Sequence, residues 1–207
     1  MPDVRLAVLV PVKRFTAAKG RLAGVISDAD RARLAEWLAT RVLDVVSDIP
    51  TYVACDDTQV AEWAEAHGAQ VLWGEHLGLN GAVDDGIGKI VEQNFDHITV
   101  SHADLARPEA LPQVARQGCI TLVPDLRRDG TNVMSFPAAT VLRASYGAGS
   151  FDRHLAQAMS FGSTEVEVRA DPDLSLDLDT ARDLAHPLVS EVLPKWLPTI
   201  PANQRQQ

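Results

Sequence analysis

The sequence predicts an α/β fold, a doubly wound and mostly parallel sheet with helices on both faces. Three observations carry that prediction. The run Leu6-Ala7-Val8-Leu9-Val10, closed by Pro11, is apolar at every position, as a strand covered on both faces must be. Short apolar runs and longer stretches of helical periodicity then alternate down the first 125 residues. Beyond that point the rhythm breaks, and the later strand-like runs predict mixed or antiparallel additions to the same sheet.

Taken in order, the first strand leads through Pro11 into a loop holding Lys13, Arg14, Lys19 and Arg21. Ser27, with Asp30 three residues later, marks a helix start, and Leu34, Leu38, Val42 and Val45 share one face up to Asp48. Thr51 to Cys55 reads as a second strand. Asp56 and Asp57 open a helix through Ala64 to His67, and Gly68 stops it. Gln70 to Trp73 is a third strand. The segment Gly74 to Gly81 leads to a helix expected near Ala82 to Gln93. Ile98 to Ser101 is a fourth strand, followed by His102, Ala103 and Asp104; Pro108 marks an expected helix start. Cys119 to Val123 is a fifth strand, ending at Pro124 and Asp125.

In the second half, Asn132 to Phe136 reads as a strand, Ser150 to Ser160 as a helix and Thr164 to Arg169 as an alternating strand. The expected division is a single domain over residues 1–187 and a Pro-containing C-terminal tail over 188–207. The tail holds Pro194, Pro198 and Pro201 and ends in the polar run Asn203 to Gln207, a surface-wrapping or frayed segment.

Composition narrows the partners. The chain has 207 residues, 46% hydrophobic and 23% charged, the profile of an ordinary globular protein. A formal net charge of -9 argues against general affinity for nucleic acid or an anionic membrane, so any anion site must be a local basic pocket. Cys55 and Cys119 lie far apart in apolar segments and read as core thiols of a reducing, cytoplasmic setting. The first apolar run is too short to span a bilayer, and no signal peptide is recognisable.

Four features carry chemistry. Ligands of open α/β sheets bind at the carboxyl ends of strands, so the cations after the first strand point to an anion such as a phosphate chain, against the alternative of a solvated basic loop. Gly78, Leu79, Asn80 and Gly81 form a small-residue turn that either lets backbone approach a flat base or is an ordinary glycine turn. Asp104 lies at the end of the fourth strand, and Asp177 and Asp179 in a late Leu-Asp-Leu-Asp-Thr run. Magnesium takes hard oxygen ligands and shares them with substrate phosphates, so these carboxylates could clamp a nucleotide-bound ion; Asp179 reads equally as a helix N-cap. Arg127 and Arg128 precede a Gly130-Thr131-Asn132 turn, and Gly147-Ala148-Gly149-Ser150 leads into a helix whose first amides would offer a second anion pocket, unless Ser150 is a simple cap. The histidines match no zinc pattern, and His154, one turn after Ser150, could face pocket or solvent. No Walker-type loop, G-x-S-x-G elbow or H-E-x-x-H is present.

The pieces VPVKRFTAAKGRL, GLNGAV (Gly78 to Val83), PDLRRDGTNVM (Pro124 to Met134), YGAGSF (Tyr146 to Phe151) and DLDTARDL (Asp177 to Leu184), in that order, resemble the CofC/FbiD family. These are the phospholactate or phosphoenolpyruvate guanylyltransferases of deazaflavin coenzyme F-420 biosynthesis. The resemblance implies a single-domain, Rossmann-like nucleotidyltransferase fold and Mg2+-dependent transfer of GMP from GTP to a phosphorylated three-carbon acid (2-phospho-L-lactate, phosphoenolpyruvate or 3-phosphoglycerate), with release of pyrophosphate. It implies Lys13, Lys19 and Arg21 as catalytic cations around the triphosphate, and Pro11, Lys13, Gly78 and Asn80 as nucleotide contacts. Thr131, Gly147 and Ser150 would hold the acceptor, and Asp104, Asp177 and Asp179 the metal. It also points to a homodimer. Three positions depart from the family pattern: Ala106 where proline follows Asp-Leu, Ala148 where proline precedes Gly-Ser, and Gly20 where serine is common. A related transferase with another nucleotide or acceptor, of sugar-phosphate or pterin type, stays open, as does a GTP-binding protein without catalysis. A dinucleotide oxidoreductase would need a G-x-G-x-x-G that Pro11 to Gly20 lacks.

Overall fold

A computed structural model describes residues 4–198. The expected run Asn203 to Gln207, with Pro201, lies outside the described residues. Seven strands form one sheet in the order β3-β2-β1-β4-β6-β5-β7. They are β1 (Leu6–Pro11), β2 (Thr51–Cys55), β3 (Gln70–Trp73), β4 (His97–Ser101), β5 (Cys119–Pro124), β6 (Thr131–Pro137) and β7 (Glu165–Val168). β1 runs parallel to β2 and β4, β2 to β3, and β5 to β7. Only β6 runs against its neighbours, β4 and β5. The chain winds outward from β1 through β2 to β3, then returns to place β4 on β1's other side. That reversal opens a crevice between the carboxyl ends of β1 and β4.

The described residues form the helices α1 (Asp28–Val45), α2 (Thr58–Ala66), α3 (Gly78–Val91), α4 (Ser150–Ser160), α5 (Ala181–Leu184) and α6 (Pro187–Ser190). Alternation along each strand sends side chains to opposite faces. Val8, Val10, Val53 and Cys55 pack with Val42, Leu43, Val60 and Trp63 from α1 and α2. Ala7, Leu9, Ile98, Val100, Leu122 and Met134 pack with Val83, Ile87 and Ile90 of α3 and Phe151 of α4. Both cysteines are buried free thiols. A third apolar cluster joins Leu22, Leu34 and Leu38 to Ala106, Leu176, Leu178 and Val189, and Leu188, Leu193, Trp196 and Leu197 pack against it. Residues 188–198 therefore wrap the domain.

Local signals explain most boundaries. Ser27 Oγ accepts from the Asp30 N–H and caps α1, while Asp57 accepts from the Val60 N–H and caps α2. Gly68 takes φ +79 after α2. Several boundaries shift by one to three residues, and two departures have a distinct physical reason. α3 starts at Gly78, four residues before the expected Ala82, because the Leu77 side chain folds back over the first turn: a Cβ at Gly81 would lie 3.0 Å from Leu77 Cβ, and one at Gly74 2.8 Å from Leu77 Cδ1. The glycines make room for a helix start instead of marking a loop. After Pro108 only one 3-10 turn forms, Leu111–Gln113. Pro112 has no N–H to bond the carbonyl of residue 108, so an α-helix cannot propagate there.

Candidate active site

A cleft of about 700 Å³ opens where β1 and β4 end. Every site residue that the family resemblance implies lines it except Asn80. The loop after β1 enters it as two short 3-10 turns, Phe15–Ala17 and Gly20–Leu22. Phe15 anchors the loop, its ring edge-on to Trp63 of α2 at 5.2 Å between centroids. Between the turns Lys19 takes left-handed backbone (φ 56), a strained state for a residue with a Cβ, and its side chain is buried. Its Nζ lies 2.7 Å from Asp104 Oδ2 and 3.2 Å from Asp179 Oδ1. Arg21 Nη1 lies 3.8 Å from Asp179 Oδ2. Lys13 also lines the cleft, whereas Arg14 pairs with Asp57 at 2.8 Å outside it.

The carboxylates converge because two distant segments pair. Leu105 and Asp177 form an isolated antiparallel bridge, the Ala106 N–H donates to Leu176 O and the Leu178 N–H to Asp104 O. Asn132 Nδ2 donates to Leu174 O and fastens the second segment to β6. Asp179 is not a helix cap: Thr180 caps α5 in a reciprocal box with Asp183, which leaves the Asp179 carboxylate for Lys19 and Arg21.

Charge in the cleft is unbalanced. Burial works against the Lys19 ammonium, but Asp104 and Asp179 outweigh it and hold its pKa above the usual lysine value. Burial likewise opposes ionisation of Asp104, and Lys19 and His102 reverse the balance and hold that carboxyl below its ordinary range. Asp177 is pushed up to about 7, first by burial and then by the nearby Asp104 and Asp179 charges. Asp104 Oδ1 is buried and has no hydrogen-bond partner among the described residues. An orphaned hard oxygen, beside a carboxyl whose ionisation burial and the neighbouring charges oppose, fits a magnesium ion shared with phosphate.

The far end of the cleft departs from the expected pocket of free helix amides. Gly149, not Ser150, caps α4, with φ +68. The Gly149 N–H donates to Asp129 Oδ1, the Ser150 N–H to Gly147 O and the Phe151 N–H to Asp129 O. Asp129 thus occupies the helix N-terminus as its own internal anion. Arg128 stacks over Phe151 at 4.9 Å and, with Arg127, does not line the cleft. Gly130 is required because a Cβ there would lie 2.8 Å from Asp125 Oδ2, the oxygen that accepts its own N–H. Thr131 and Ser150 are both buried at the cleft wall, and the Thr131 N–H donates to Ser150 Oγ.

Asn80 has a different place from the one expected beside a base. Its amide clamps the Tyr146 backbone, accepting from the Tyr146 N–H at 2.7 Å and donating to Tyr146 O at 3.3 Å. Asp84, one turn on, accepts from the Ala144 N–H. Gly78, Leu79 and Ala82 line the cleft instead. Sequence reasoning missed Tyr146, which packs its ring 5.0 Å from those of both His102 and His154, and Asp129. The position of Tyr146 beside the glycine turn was the available signal; Asp129 gave none.

Comparison with known proteins gives the family and the fold. A phosphoenolpyruvate guanylyltransferase from Rubrobacter xylanophilus is 34% identical over 186 residues, covering 86% of this chain and 90% of its own. A 2-phospho-L-lactate guanylyltransferase from Methanothermobacter thermautotrophicus is 30% identical, covering 87% and 83%. In three dimensions the chain is similar to a putative nucleotide-diphospho-sugar transferase from Desulfovibrio desulfuricans, with TM-score 0.70, 17% identity and coverage of 87% and 84%. A nucleotidyl transferase from Methanothermobacter superposes with TM-score 0.58 at 12% identity, covering 87% and 94%. The profile of the guanylyl transferase CofC-like family matches residues 6–190, nearly the whole described chain, and the chain belongs to that family of nucleotidyltransferases.

Proposed function

We infer that the protein transfers GMP from GTP to a phosphorylated three-carbon acid, phosphoenolpyruvate, 2-phospho-L-lactate or 3-phosphoglycerate, and releases pyrophosphate. The observation that carries this reading is the meeting, in one cleft, of Lys13, Lys19 and Arg21 from the loop after β1 with Asp104 and Asp177 from the paired segments after β4. The sequence relatives bear names of this reaction.

An oxygen of the acceptor phosphate attacks the α-phosphorus of GTP, the new phosphorus–oxygen bond forms, and the bond to the bridging oxygen breaks so that pyrophosphate leaves with the electron pair. The acceptor phosphate is already ionised near neutral pH, so no general base is needed. Lys13, Lys19 and Arg21 stabilise charge on the triphosphate and the leaving group. Asp104, Asp177 and Asp179 would hold magnesium, which when bound neutralises phosphate oxygens. Gly78 and Leu79 line the nucleotide end, while Thr131, Gly147 and Ser150 position the acceptor; holding two mutually repelling anions in line is the main catalytic task. The reading includes a cytoplasmic setting and a homodimer, the latter tested by sedimentation of the purified chain.

Pyrophosphate release with GTP and Mg2+ tests the reaction, each acid being supplied separately. Release that depends on one acid establishes the transfer and names the acceptor; absence of release with all three, in a folded protein that does not bind GTP, overturns the guanylyl reading.

A further inference from the structure

His154 lies one turn into α4, fully buried behind the cleft wall. Its two ring nitrogens have different partners. The Ser145 backbone N–H lies 2.9 Å from Nε2, and because an N–H can only donate, Nε2 carries no proton. Nδ1 lies 2.9 Å from Thr131 Oγ1. The imidazole is kept neutral, its pKa lowered to about 4 by burial and by Arg153 and His102, so its single proton sits on Nδ1 and is donated to Thr131.

That assignment fixes what Thr131 can do. Its oxygen accepts from His154, and its own hydroxyl proton is left over. Ser150 Oγ accepts from the Thr131 N–H and likewise keeps its proton. Among the described residues neither proton has an acceptor, and both side chains line the cleft. The amides of residues 149 to 151 are already engaged, two of them by Asp129, so at the start of α4 these hydroxyls, with the unpaired Tyr146 hydroxyl beside them, are side-chain donors left to a ligand.

We propose that His154 is a positioning residue: by donating from Nδ1 to Thr131 it reserves the Thr131 hydroxyl proton, alongside that of Ser150, for an ionised carboxylate or phosphate oxygen of the acceptor. The opposite tautomer would spend the Thr131 proton on the ring. Accepting a hydrogen bond also strengthens the one a hydroxyl donates. This rests on the reading that Thr131 and Ser150 face the acceptor.

The test has two arms. In ring-15N-labelled protein, the nitrogen shifts of His154 should report a neutral ring protonated on Nδ1; a ring protonated on Nε2 overturns the proposal with no variant needed. In kinetics, His154→Phe removes both bonds and should raise the acceptor KM about tenfold or more, as expected for a lost hydrogen bond to a charged group, with kcat and GTP affinity within about twofold. His154→Asn places an amide N–H where Nδ1 sits and should restore the KM to within about threefold of the parent. Equal KM values for the Phe and Asn variants overturn the proposal. Thr131→Val and Ser150→Ala test the pocket itself. If neither raises the acceptor KM, the acceptor reading falls and this proposal with it; if both raise it and His154→Phe does not, only the role of His154 falls.

Discussion

Asp104 has two oxygens with different surroundings. Oδ2 is bound by Lys19 at 2.7 Å, and Oδ1 is buried with no hydrogen-bond partner among the described residues, His102 Nδ1 lying 3.8 Å away. The amide of Asp104→Asn keeps the shape and removes the charge that both a cation and Lys19 require. Turnover should fall by about a thousandfold or more, with the fold retained by circular dichroism, and pyrophosphate release measures it. An unchanged rate would remove Asp104 from the site. A second prediction belongs to a residue far from the chemistry. His97 is buried on β4 with Nε2 2.9 Å from Ser135 Oγ, and burial lowers its pKa to about 4. Its folded value is thus below the ordinary 6.5, so between these two pH values the unfolded chain binds a proton that the native chain refuses. Stability is whole above pH 6.5 and declines as pH falls toward 4, by about 1.4 kcal/mol per pH unit for each such histidine. His154 adds the same sign. Urea midpoints across this window should show the decline, and His97→Gln should remove about half of the histidine share; an unchanged slope in that variant would place the proton uptake elsewhere.

At the scale of elements, the first turn of the loop after β1 is anchored by an aromatic contact. Phe15 is 3% exposed and meets Trp63, whose Nε1 donates to Thr40 Oγ1 on α1. Phe15→Ala should cost about 3 kcal/mol, the usual loss for a buried phenylalanine, and should raise the KM for GTP because Lys13 and Lys19 flank that anchor. A calorimetric melt and the GTP KM check both parts, and a destabilised variant with unchanged GTP KM would separate the anchor from the site. The strands around this loop were legible in the sequence because parallel strands buried on both faces are continuous apolar runs. α1 was legible because Ser27 and Asp30 lie three residues apart in one cap. The start of α3 was not, since a glycine's role there depends on where Leu77 folds. The spent amides of α4 were hidden for the same kind of reason: Asp129 reaches Gly149 from twenty residues away, and no local pattern records that bond.

For the whole molecule, the contrast between overall and local charge decides how ligands bind. The chain carries a net charge of -9, and the cleft alone is lined by three lysine or arginine side chains against six aspartates. The sequence made the cations visible as one loop, but Asp56, Asp125 and Asp129 join the cleft only through the fold, so the local excess of negative charge could not be read in advance. A triphosphate approaching this cleft by itself meets net repulsion, and the partly buried carboxylates lose little of their effect to screening. A divalent cation removes that obstacle and uses the orphaned Asp104 oxygen. GTP with excess Mg2+ should therefore stabilise the fold by about 2.7 kcal/mol at a hundredfold excess over Kd, raising Tm by about 5–10 °C, whereas GTP with a chelator should leave Tm nearly unchanged. Asp104→Asn should lose most of the magnesium-dependent part. Scanning fluorimetry with and without chelator reads all three arms. Equal stabilisation with chelator would mean that Lys13, Lys19 and Arg21 suffice for the triphosphate, and the carboxylates would then need another role than holding a metal.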